Sequence, residues 1–287
     1  MKKHIFIITI FTLLSFFKGF SQQISLNNPD ELNSMTFEKK IVIDTCVINI
    51  HFRQLVVNDT NNLEKKKENY MILQVGKRIS KFSDFFILKR DSLNEKLRDE
   101  KRTPQEIVNR GLLISKGTIS INIYKNFPIN KITTTDRVPM SGTYKYTENK
   151  VKPLWKIETG SLTVCGYQCK KATTTFRGRN YTVWYAPKIS ISDGPWKFWG
   201  LPGMILKVSD DKGHYSFECI SIEKPKSISK IYMLDSNYMI TTKAKFNDAL
   251  RKFNENPGAA IQASGRITGG LPDKIKSRPY NPIELSE

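Results

Sequence analysis

Asp193-Gly194-Pro195-Trp196-Lys197-Phe198-Trp199-Gly200-Leu201-Pro202-Gly203-Met204-Ile205-Leu206-Lys207-Val208 combines two proline breakers, three large aromatics and a closing apolar run. Pro195 and Pro202 fix φ near −65°, Gly200 and Gly203 can take positive φ, and Leu201, standing before a proline, is pushed to an extended state. The stretch therefore turns twice and then enters a buried strand. Working outward, the same β signals recur. Met204 to Val208 and His214 to Ile222 form a hairpin across Asp210-Asp211-Lys212-Gly213, and Phe176-Arg177-Gly178-Arg179-Asn180-Tyr181 is the tip of another.

Upstream, Met35 to Val57 alternates with both faces largely apolar, Ile41 and Ile43 on one side and Val42, Ile48 and Ile50 on the other. Tyr70–Val75 and Lys77–Phe82 flank Gly76 as short strands, and 112–124, 131–137, 142–147, 155–159 and 162–185 are strand-like. Between them, Asp84 to Arg102 is helix-favouring, with Ser92-Leu93-Asn94-Glu95 as a capping box, and a second helix runs from Pro104 until Gly111 ends it. Thr242 caps a late helix that reaches Asn254 and buries Ala244, Leu250 and Phe253 before Pro257 stops it. These elements specify a mainly β (α+β) chain: a single curved antiparallel sheet or half-open barrel with one or two packed helices, spanning 35–255, followed by an extended tail over 256–287.

The ends and the charge bound the compartment. Lys2-Lys3, an apolar core from Ile5 to Phe17 and small residues at Gly19 and Ser21 make residues 1–21 a secretory signal peptide, cleaved near Ser21, with a flexible leader over 22–34. The apolar run is too short for a transmembrane anchor. The chain carries 46 Lys and Arg against 27 Asp and Glu, a formal charge of +19. Losing Lys2, Lys3 and Lys18 leaves most of that excess, which in an exported protein points to lipid or another anionic envelope component and not to nucleic acid. In the oxidising periplasm or outside the cell, Cys46, Cys165, Cys169 and Cys219 are expected to form two disulfides, with Cys46 and Cys219, both in strand-like runs, as candidates to bridge distant strands; Cys165-x-x-x-Cys169 supplies only half a zinc site, and no metal or cofactor is expected.

Three ordered segments carry a family resemblance: 166–172 with 176–185, 189–207, and Tyr280-Asn281-Pro282-Ile283-Glu284-Leu285. With Gly200-Leu201-Pro202-Gly203-Met204-Ile205, in which Met204 stands where leucine is usual, the chain resembles the GLPGLI family of exported Bacteroidetes proteins. The resemblance implies an envelope protein of unknown function, working beside TonB-dependent outer-membrane receptors, and supplies no catalytic residues.

His51 and His214 are the histidines outside the signal, and no nucleophile elbow, His-Glu-x-x-His or phosphate loop is present. A hydrolase would need a Ser/His/Asp site assembled through space, around His214 and Asp210 or Asp193, for example. The denser signal is aromatic: Trp184, Trp196 and Trp199, led by Arg177 and Arg179, are the candidate ligand-binding residues, the arginines to pair a carboxylate or phosphate. The residues favour a non-enzymatic binding or accessory protein for a lipid, peptide or outer-membrane partner, with the hydrolase as the alternative. A third reading has the tail dock into a partner by strand addition.

Overall fold

A computed structural model of the chain describes residues 38–115, 118–225, 227–264 and 275–286. The signal peptide and the whole of the leader, 22–34, lie outside the described residues. Thirteen strands form one sheet: β1 (Lys39–Val57), β2 (Lys66–Gly76), β3 (Ser80–Asp84), β4 (Asn122–Lys125), β5 (Lys131–Val138), β6 (Gly142–Asn149), β7 (Lys156–Val164), β8 (Tyr167–Phe176), β9 (Arg179–Ala186), β10 (Met204–Asp210), β11 (Tyr215–Glu223), β12 (Ser229–Asp235) and β13 (Met239–Ile240). Two meanders, β6 back to β1 and β11 back to β7, meet at the antiparallel β1–β11 pair. The first half of β1 instead pairs β12, and β13 adds to β6 in parallel. The sheet is open at both ends of its order and is larger and more mixed than a single antiparallel sheet with one or two helices; four helices accompany it among the described residues.

Those helices are α1 (Phe85–Asp99), α2 (Pro104–Ser115), α3 (Lys243–Glu255) and α4 (Pro257–Ala263). The N-cap of α1 is Asp84, whose carboxylate accepts from Phe86 N at 2.8 Å and Ile87 N at 3.2 Å. Ser92, expected to open a capping box, sits inside the helix and donates to Leu88 O. Gly111 does not end α2; a Cβ there would lie 3.2 Å from Asn94 Oδ1, so glycine lets the two helices approach. Residues 112–115 are accordingly helical, and the strand expected from 112 begins only at Asn122. Thr242 caps α3 as expected, but the buried side chains are Phe246 and Phe253, while Ala244 is exposed. Pro257 opens α4 at its first turn.

Packing follows the alternation. Met71, Leu73 and Val75 of β2 enter the main core with Ile50, Phe52, Phe82, Val183, Leu206 and Phe217. Tyr70 on the other face of β2 meets Phe86 of α1, ring centroids 5.8 Å apart. A second cluster, Val138, Tyr146, Phe246 and Phe253, seats α3 on β5 and β6. The sheet must curl: Arg177, in the β8–β9 turn, reaches Glu148 on β6 at 2.7 Å. At about 4.8 Å per strand, the eight steps from β6 to β9 would separate those strands by roughly 38 Å if flat. No helix among the described residues is long and apolar enough to cross a membrane.

Candidate functional site

The β8–β9 turn is made by Arg177 and Gly178, with φ of 52° and 77°, the left-handed pair that a two-residue hairpin requires. A Cβ at Gly178 would fall 2.9 Å from Leu285 Cβ, because the C-terminal segment lies against the turn, and Leu285 N donates to Arg177 O at 2.9 Å. Arg179, first residue of β9, spends its guanidinium inside the protein. Nη1 donates to Asp210 Oδ2 at 2.9 Å, Nη2 to Asn281 Oδ1 at 2.6 Å and to Pro282 O at 2.7 Å, and Nε to Ile283 O at 3.0 Å. Asn281 in turn donates to Val57 O at 2.7 Å. The tail is thus keyed into its own sheet.

A second ionic group adjoins it. Lys197 bridges Glu148 and Glu284; Arg177 meets Glu148 at 2.7 Å, and Lys243 at the start of α3 meets Glu284 at 3.1 Å. All five side chains are at most 11% exposed. Burial alone would raise the Glu284 carboxyl, but Lys197, Lys243 and Arg177 outweigh it and hold it below the ordinary carboxylate value. A further buried cation, Lys125 of β4, binds Asp193 and donates to Gly194 O at 2.6 Å. Burial lowers its ammonium, with Asp193 opposing. Five chain segments therefore converge on the loop 193–203: β4, β6, the β8–β9 turn, α3 and the tail.

The aromatic candidates divide. Trp196 is 3% exposed and packs on Phe198 at 5.0 Å and Phe176 at 5.8 Å, within a cluster that includes Tyr181. Trp184 and Trp199 are half-buried. Trp184 projects from the outer face of β9, in register with Lys171 and Lys207. Trp199 donates to Val151 O at 3.0 Å and carries the Lys150 ammonium over its ring at 4.2 Å. The loop glycines answer to backbone geometry. A Cβ at Gly203, φ 146°, would lie 2.4 Å from Ala186 O; at Gly194 it would meet Ile205 at 2.8 Å, and at Gly200 the Lys152 side chain. Pro195 and Leu201 are buried, and Pro202 is exposed.

None of Arg177, Arg179, Trp184, Trp196 and Trp199 lines either of two cavities found among the described residues. One, of about 650 Å³, lies between Val138–Ser141 and helices α3 and α4, and the other, of about 470 Å³, among Lys40, Gln74, Glu95 and Tyr232. His51 pairs with Glu223 at 3.1 Å, and His214 Nδ1 faces Arg179 Nη1 at 3.3 Å; neither contact involves a serine. Among the described residues no group of three or more His, Cys, Asp or Glu is placed to hold a metal.

The expected disulfides are absent: all four cysteines are free. Cys46 is paired across β1 with Gly76 and Ser229, whereas Cys219 stands opposite Phe52. Six residues along a strand span about 20 Å, far beyond the Cα separation of about 7 Å that a bridge tolerates. Cys165 does approach Cys219, but its Sγ donates to the Cys219 carbonyl at 3.0 Å. Burial pushes the Cys219 thiol up, and Cys165 adds to it.

The roles of Glu148, Lys197, Lys243, Glu284 and Asn281 escaped the sequence reading, and Asp210, named there as a candidate acid beside His214, instead pairs with Arg179. Two signals were present: Glu148 follows Tyr146 by two residues, on the same face of β6, and Lys197 stands between two core aromatics.

Residues 175–207 match the model of a family described as protein of unknown function (Porph_ging). Two solved structures of PNGF-II, in different crystal forms, are similar. One is 16% identical with a TM-score of 0.49 and the other 17% identical with 0.47, and each comparison covers 74% of this chain and 34% of that chain. The chain thus spans about a third of the length of the PNGF-II chains it matches. No curated protein matches it.

Proposed function

We propose that the chain is an exported member of the GLPGLI family, released into the periplasm or secreted after cleavage near Ser21. In this reading it acts there as a non-enzymatic binding or accessory protein for a lipid, a peptide or an outer-membrane partner such as a TonB-dependent receptor. The curled open sheet is read as a half-open barrel, and the loop 193–203 as the part that organises its binding surface. One observation carries this reading: the charges around the loop are consumed internally, while Trp184 and Trp199 stay partly exposed beside Lys171, Lys207 and Lys150. Arg177, Arg179 and Trp196 then act as the frame, and the outer tryptophans and lysines as the contact. Docking of the tail into a partner is not part of the proposal, since Asn281, Pro282 and Ile283 are bound within the domain.

The test is affinity capture from native envelope extract, reading co-purified proteins and lipids by mass spectrometry for the wild type and for Trp184→Ala and Trp199→Ala. A specific protein or lipid retained by the wild type and lost in either variant is the expected result. Identical recovery from all three overturns the assignment of the surface, and turnover of a substrate in a hydrolase screen overturns the non-enzymatic role.

A further inference from the structure

We infer that the segment Val151-Lys152-Pro153-Leu154-Trp155-Lys156-Ile157 is a docking surface for an anionic lipid bilayer. The inference rests on the binding role proposed above and names the partner. Three apolar side chains stand out from this short stretch: Val151 is 50% exposed, Leu154 89% and Ile157 54%.

The stretch is held from beneath. Pro153 is buried, Trp155 packs toward Phe198 at 6.2 Å, and its indole N–H donates to Trp199 O at 2.9 Å. The Trp199 indole returns the tie to Val151 O at 3.0 Å. Both indole donors are therefore spent on backbone carbonyls, which fixes the loop and leaves the partly exposed rings as apolar surface. Leu154 is presented by two anchored neighbours and does not fold back on the protein.

Cations surround this apolar tip. The Lys150 ammonium lies over the Trp199 ring at 4.2 Å, the methylenes of Lys152 lie across Gly200, and Lys156 pairs with Glu158 at 2.9 Å. Lys152 has no carboxylate partner among the described residues. Apolar side chains flanked by tryptophan rings and long lysine stems match the boundary between acyl chains and phosphates, where leucine enters the hydrocarbon and ammonium groups stay at the headgroups. Protein interfaces, by contrast, are depleted in lysine at their cores. After loss of Lys2, Lys3 and Lys18 the chain keeps 43 Lys and Arg against 27 Asp and Glu, a formal charge of +16 that supplies the long-range attraction to an anionic surface.

The experiment uses the full chain with unilamellar vesicles of phosphatidylcholine, with and without phosphatidylglycerol. It reads binding by co-sedimentation and local hydrogen exchange by mass spectrometry. Expected are slowed exchange across 151–157 with the anionic vesicles alone and about tenfold weaker binding by Leu154→Asp, whose exposed position leaves the near-UV circular dichroism unchanged. Lys152→Glu is expected to weaken binding and flatten its salt dependence. The inference is overturned if neither vesicle binds, if Leu154→Asp binds as the wild type does, or if protection falls on the apolar N-terminal run instead. Burial of the segment by self-association without lipid also overturns it. Should vesicles fail while envelope capture still returns a protein through Trp199, the bilayer assignment falls and the binding role stands.

Discussion

Single residues in the clasp around the loop have consequences out of proportion to their size. Gly203→Ala would bring a Cβ to 2.4 Å from the Ala186 carbonyl oxygen at φ 146°. The obstacle is backbone and cannot swing aside, so the variant should lose roughly 2 kcal/mol or more in urea denaturation. Gly166→Ala, at φ 78° with nothing within 4 Å, should lose only about 1 kcal/mol. Arg179→Leu strips the partner from Asp210, whose side chain is fully buried, and should cost about 3–5 kcal/mol by the same measurement. The glycines were legible in the sequence because backbone conformation is a local property. The role of Arg179 was not, since an arginine beside a hairpin tip looks the same whether it faces solvent or four acceptors supplied by Asp210 and residues 281–283.

At the scale of elements, caps and docked ends set stability. Asp84 serves α1 and also accepts from Ile119 N at 3.1 Å. Asp84→Ala should cost about 2 kcal/mol, with Asp84→Asn milder because its amide oxygen still accepts; thermal unfolding of the two variants checks the order. The tail is fastened through Glu284, whose folded-state carboxyl is held below its ordinary 4.5. A depressed carboxyl contributes stability that is fully present above pH 4.5 and is lost as pH falls through the folded value. Wild type and Glu284→Gln should therefore differ by about 3 kcal/mol at neutral pH, and converge below pH 4.5; a gap that stays constant with pH would show that packing, not charge, holds the tail. Most strands were readable from alternation. The short β12 and β13 were not, because their pairing partners, β1 and β6, lie far away in the chain. Helix α2 ran through Gly111 because contact with α1 outweighed the local signal.

For the molecule as a whole, the ionic cluster ties strands from opposite parts of one long sheet. Lys197→Met should speed hydrogen exchange in β6 and β9 together while leaving β2, at the middle of the sheet order, unchanged. Faster exchange confined to 193–203 would mean the cluster fixes its loop and does not brace the sheet. The mainly β character was legible from composition and spacing, but the extent of the sheet was not, since strand number follows from pairings that periodicity does not encode. The cluster also fixes an order of events. Its members at 148, 177, 197 and 243 await Glu284, so a chain synthesised from its N-terminus has three gathered cations and a single carboxylate until that residue emerges. Completion thus waits on Glu284, the last of the five in chain order, so the cluster cannot close before the segment that carries this residue has joined the sheet.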